Sequence, residues 1–216
     1  MFAVDKIAIA YVMQLRGIRD FAITMEKWEQ LFRGTSDKKR VPLPKQIESG
    51  LDEEYQNSSK LKEQIEQEWK RREADVLAWL KELTNVDFKE PQVKVCVVPF
   101  GAGMTPSRRV PLIVVGKIRK GWGYPETIAH ELAHVLFNQN FESENDVEHP
   151  YVQLIEEEIA VRLGARSRYF DYEIPAFAVW VHEAQRREKA WRHYLQHIED
   201  FTSIAQFVTE NEGLTR

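Results

Sequence analysis

The chain has 216 residues, 43% of them hydrophobic and 30% charged. That length suits one compact domain with helical additions better than two independent ones, and 6 Trp, 7 Tyr and 11 Phe are too many aromatic groups for a disordered chain. Thirty Lys and Arg against 34 Asp and Glu leave a net charge of -4, so no overall positive field points to nucleic acid or anionic lipid.

No apolar run approaches the roughly 18 residues that suggest a membrane span. Residues 7–13 (IAIAYVM) follow Asp5 and precede no small-residue cleavage site, which reads as a helix rather than a signal peptide. The expectation is a soluble, cytoplasmic protein without membrane or nucleic-acid partners; nothing specifies an oligomeric state. The single Cys96 forms no intramolecular disulfide, and among Val95, Val97 and Val98 it suits a small core position.

From Val4 to Phe32 apolar residues recur every three or four positions, through Ile7, Tyr11, Leu15, Ile18, Ala22, Met25 and Trp28. This predicts one long amphipathic helix or two joined near Gly17. Residues 34–50 (GTSDKKRVPLPKQIESG) collect Gly, Pro and charge without a period and read as a loop. A second helix is predicted from about Ser59 to Leu83, with Leu61, Ile65, Trp69, Val76, Leu80 and Leu83 inward and a solvated Lys/Glu face outward.

Beyond Pro91, VKVCVVPF (93–100) and RVPLIVVG (109–116) are β-branched runs on either side of the turn-forming GAGMTPSR. They read as neighbouring strands of an antiparallel hairpin. Pro111 cannot donate to a ladder, which predicts that the second strand lies at an edge where an extended ligand could pair. Pro125 suits the first turn of a helix running to about Asn138, and Pro150 introduces another to about Arg168. After Pro175, Phe177, Trp180, Ala184, Trp191, Leu195 and Ile198 trace a long amphipathic helix. The fold class expected is α+β and predominantly helical, with a small antiparallel sheet packed on the 125–138 helix. Helical regions at 1–90 and 169–216 flank a core at 91–168 within one compact domain.

The sharpest chemical signal is His130-Glu131-Leu132-Ala133-His134, an HExxH motif inside the apolar helix TIAHELAHVLF. Positions four apart stand on one helix face about 6 Å apart along the axis, so two imidazoles can converge on one ion. Glu131 lies about 100° around the helix, badly placed as a ligand but well placed to hydrogen-bond a water held by the metal. Ligand, base, ligand is the natural assignment, and the implied metal is Zn2+. Two imidazoles and a carboxylate beside Ile128, Leu132, Val135 and Leu136 would be costly to bury without such a partner.

A catalytic zinc usually takes a third protein ligand and keeps one position open. Three kinds of residue are available: the acidic cluster Glu156, Glu157 and Glu158; Cys96; and the remaining histidines His149, His182, His193 and His197. Glu158 stands four before Arg162, a spacing that suits a surface ion pair. The metzincin pattern fails because position 140 is Asn140, and Cys96 lacks the glycine- and glutamine-containing segments that accompany the cysteine of peptide deformylases.

TIAHELAHVLF, followed after a loop by a helix with EEEIA, resembles the gluzincin class of zinc metallopeptidases, with a minigluzincin-like core over about residues 93–168. The resemblance implies a zincin-like fold and a zinc held by His130, His134 and a glutamate of the following helix. The family's ExxA register points to Glu157, since Glu157-Glu158-Ile159-Ala160 fits it, with Glu158 and then Glu156 as the alternatives. Val161 departs from the acidic or polar residue sometimes found next, so the outer support of a histidine is left unassigned. The activity implied is hydrolysis of peptide bonds in a peptide or protein substrate, with Glu131 as general base. The rival expectation is a non-catalytic module that keeps the scaffold for binding or regulation.

Overall fold

A computed structural model describes residues 2–18, 50–84, 86–101, 103–105, 111–118, 123–140, 152, 155, 156 and 158–164. After strand β1 (Phe2–Ala3), helix α1 (Lys6–Leu15) starts at Asp5, whose carboxylate accepts from the Ile7 N–H at 2.9 Å and satisfies one of the helix's unpaired donors. Ile18 N–H reaches Met13 O at 2.9 Å and Gly17 N–H reaches Gln14 O at 3.0 Å, with Gly17 at φ 64°. That pairing is a Schellman stop, which a residue without Cβ closes without strain. The helical pattern therefore ends at Gly17, and the part predicted to continue to Phe32 lies outside the described residues, as does the loop predicted at 34–49.

The helix predicted from Ser59 to Leu83 is two helices, α2 (Asp52–Lys70) and α3 (Glu73–Thr84). It starts earlier because Ser58 and Ser59 do not interrupt it: their hydroxyls donate to Glu54 O at 2.8 Å and Tyr55 O at 2.9 Å, inside the same helix. The break at Arg71 and Arg72 has no local signal. It lets α2 lie along β1, α1 and the strand at Lys94–Val97 while α3 follows the HExxH helix. The predicted inward residues Ile65, Trp69, Val76, Leu80 and Leu83 are all buried in one cluster, with Leu61 against it.

The sheet is mixed, in the order β1-β2-β4-β3, with β2 (Lys94–Val97), β3 (Gly103–Met104) and β4 (Leu112–Val115). β1 and β2 are parallel, β2 and β4 are parallel, and only β3 runs antiparallel to β4. The antiparallel hairpin predicted for 93–116 is thus corrected. A parallel pair needs a crossover of about a dozen residues or more, which 98–111 supplies, and β3 within that connection takes the hairpin place beside β4. The edge predicted for the second strand is corrected too. β4 is interior and fully buried, and Pro111 sits just before it, where its carbonyl accepts from Lys94 N–H at 2.9 Å and no ladder donor is lost. Among the described residues the edge strands are β1 and β3.

Alternation along the strands divides the core. Val95, Val97, Ile113 and Val115 face a cluster that includes Ile65, Leu80, Ile128, Leu132 and Phe137. Cys96, Val98, Leu112 and Val114 face Ala8, Ile9 and Val12 of α1. Helices thus cover both faces, which is why the strands read as continuous apolar runs. Each large aliphatic side chain removed from water there contributes roughly 1.5–3 kcal/mol.

Helix α4 (Tyr124–Asn140) carries the HExxH motif with Pro125 in its first turn, and packs on β3, β4, α2 and α3. Beyond it, residues 152, 155, 156 and 158–162 are helical, and Val152, Ile155 and Ile159 join the α4 side of the core. This segment closes at Gly164, φ 84°, short of the predicted Arg168. The helix predicted after Pro175 lies outside the described residues. Among those described, no helix is long and apolar enough to cross a membrane. The fold is α+β, mostly helical, around a small mixed sheet.

Candidate metal centre

One face of α4 is committed to the core through Ile128, Ala129, Leu132, Ala133, Leu136 and Phe137. His130 and His134, one turn apart, stand where that face meets partial exposure. Their ring centroids are 4.9 Å apart and their planes cross at 71°, an edge-to-face contact of two side chains on one helix face, where the four-residue spacing puts them.

His130 Nδ1 lies 2.8 Å from Glu156 Oε2, and the two side chains are 16% and 12% exposed. With the proton on Nδ1, the ring donates to the carboxylate and presents Nε2 as a lone pair, the arrangement in which an outer acid orients a metal-binding histidine. Burial disfavours protonation of His130, but the hydrogen bond and charge of Glu156, with the charge of Glu131, outweigh it and raise the pKa above its ordinary value.

Glu131 is 4% exposed. Its carboxylate turns toward the sheet edge, where the Thr105 hydroxyl lies 2.8 Å from Oε2 and 3.1 Å from the Glu131 carbonyl oxygen. Burial is the main cause that raises its pKa, with Glu156 adding to it; His130, His134 and the Thr105 hydrogen bond pull the other way. A carboxylate whose proton affinity is raised is a stronger base than one in water.

Glu158 is engaged elsewhere. Arg162 Nε donates to it at 3.0 Å, as the spacing predicts, and the two terminal nitrogens of Arg162 donate to Glu82 on α3 at 2.9 Å each. The Arg162 guanidinium also lies 5.8 Å from the Trp79 ring centroid.

Cys96 is removed from the set of ligands. It alternates onto the α1 side of the sheet while α4 packs on the other, and burial pushes its thiol up to about 12.

The structure therefore brings His130, Glu131, His134 and Glu156 together and adds Thr105. Glu157, His149, His182, His193 and His197 lie outside the described residues. Among the described residues no set of three His, Cys, Asp or Glu side chains is arranged to hold a metal ion. The residues here that could contribute to holding a metal are His130 and His134, the former with its Nδ1 held by the Glu156 carboxylate.

The apolar neighbours of Glu156 mark it in the sequence as an inward-facing acid but do not name its partner. Ile155, Glu156, Ile159 and Ala160 form one buried stripe, and Glu156 is its only acid. Thr105 had no sequence signal, because its partner is remote in the chain. Compared with models of protein families, with curated proteins and with solved structures, the chain matches none.

Proposed function

We propose that this chain is a zinc-dependent metallopeptidase of gluzincin type that hydrolyses peptide bonds. The observation that carries the reading is the His130 and His134 pair, with ring centroids 4.9 Å apart on one helix face and the buried Glu131 between them in the chain. His130 and His134 would hold the ion, and Glu157 would complete the set. Support for Glu157 comes from its neighbours: Glu156 is spent on His130 and Glu158 on Arg162. Zinc bound there would supply an activated water and a Lewis acid for the scissile carbonyl. Glu131 takes the proton of the attacking water and returns it to the leaving amine, while Glu156 keeps the His130 ring in one tautomer and orientation. The outer edge of β3, which pairs with no strand among the described residues, suits main-chain pairing with an extended peptide.

The reading is tested on protein purified without chelator. The expected result is about one zinc per chain by elemental analysis, with cleavage of unfolded casein or quenched fluorogenic peptides that stops on chelation and returns with zinc. Absence of zinc rejects the reading, and stoichiometric zinc without cleavage moves it to the non-catalytic module.

Single substitutions then separate the three acids. Glu157→Ala is expected to abolish stoichiometric zinc, and Glu158→Ala to leave it unchanged. Glu156→Gln should weaken zinc binding about 10- to 100-fold without abolishing it, since an outer partner tunes a ligand rather than replacing it. Equal zinc retention in all three variants would remove this helix from the site.

A further inference from the structure

The loop-like stretch GAGMTPSR contains a second element aimed at the same site. β3 is short, yet several independent contacts fix it. Arg16, at the end of α1, donates to the Gly101 carbonyl just before it, and Lys117 N–H, just after β4, donates to Phe100 O at 2.8 Å. β3 itself pairs with the interior strand β4, through Gly103 opposite Val115 and Met104 opposite Val114. Its other side meets α4 at very close range. A Cβ placed on Gly103 would lie 3.0 Å from Thr127 Cγ2 and 3.2 Å from Glu131 Oε1, tighter than ordinary carbon contacts. Glycine at 103 is what lets the strand approach the helix. Thr105, two residues on, reaches Glu131 Oε2 at 2.8 Å.

The two oxygens of Glu131 therefore meet different features of one strand, Oε2 the Thr105 hydroxyl and Oε1 the space left by the absent side chain of Gly103. A carboxylate on a flexible stem has several rotamers, and holding one of them ready avoids an ordering cost at the moment of reaction. We infer that Thr105, seated by the close approach of Gly103, is a positioning residue that holds the Glu131 carboxylate in its working orientation. It rests on the peptidase reading above and goes beyond it. The hydroxyl takes no part in bond making; it occupies one carboxylate oxygen and leaves the other for proton transfer.

Thr105→Val keeps the shape of the side chain and deletes the hydroxyl, whereas Thr105→Ser keeps the hydroxyl and deletes a methyl group. On quenched fluorogenic peptides, T105V is expected to lower kcat about 10- to 100-fold with KM and zinc content unchanged, the cost of a misplaced catalytic group. T105S should remain within about threefold of the unsubstituted protein, because the donor is retained. Gly103→Ala forces a methyl group against Glu131 and should also lower kcat while zinc is retained, which gives a second reading if T105V folds poorly. Equal kcat in T105V and the unsubstituted protein, or T105S as slow as T105V, overturns the role, as does loss of zinc in T105V. If the unsubstituted protein shows no zinc-dependent cleavage, the peptidase reading itself has failed. If it cleaves and these variants cleave equally well, the reading stands and Thr105 is no positioning residue.

Discussion

Glu131→Gln is expected to bind zinc at the same stoichiometry as the unsubstituted protein and to turn over about a hundred- to ten-thousand-fold more slowly, the range that a positioned general base supplies. The substitution is nearly isosteric, which matters at a side chain only 4% exposed and packed beneath β3. Gln keeps a carbonyl oxygen that can accept from Thr105, so the contact of helix and strand survives while proton acceptance is lost. The measurement is kcat alongside elemental zinc and a thermal melt. Unchanged turnover would show that the acid at the centre of the motif is not the base; lost zinc would make it a ligand or a structural support instead.

His130→Ala and His134→Ala have the opposite signature. Each removes an imidazole from a pair 4.9 Å apart, and both are expected to lose stoichiometric zinc together with all zinc-dependent cleavage. His130→Ala also removes the 2.8 Å contact to the largely buried Glu156, and a lost hydrogen bond at a buried acid costs about 1–3 kcal/mol, so free of metal it should melt below the unsubstituted protein. Full zinc occupancy in the double variant would remove the assignment of both residues.

Much of the site was legible in the sequence because it is local. The closeness of the His130 and His134 rings depends only on helical geometry, and α4 formed where Pro125 and the apolar period placed it. The Glu158–Arg162 pair follows from the same four-residue spacing. The inward residues of α2 and α3 were also readable, since burial follows the period even where the chain breaks between them. What the sequence concealed was pairing across distance. The runs at 93–100 and 109–116 have the composition of strands whether they pair as a hairpin or in parallel through a crossover, because β-branched alternation carries no direction.

By itself, then, the sequence determined that the runs at 93–100 and 109–116 hold strands, which faces of α2 and α3 turn inward, and that two imidazoles share one turn of α4. Those properties are set by neighbours within a few residues, whereas β1, β3 and the break at Arg71 and Arg72 had no local signal. Only the tertiary structure decided that β4 is interior, that Cys96 faces away from α4, that Glu156 is the acid spent on His130, and that Thr105 reaches Glu131 from β3. Each of these joins residues about 20 or more positions apart or depends on which sheet face a helix covers. The energy that selects among them comes from burying whole faces together, a non-directional quantity that no short stretch of residues encodes alone.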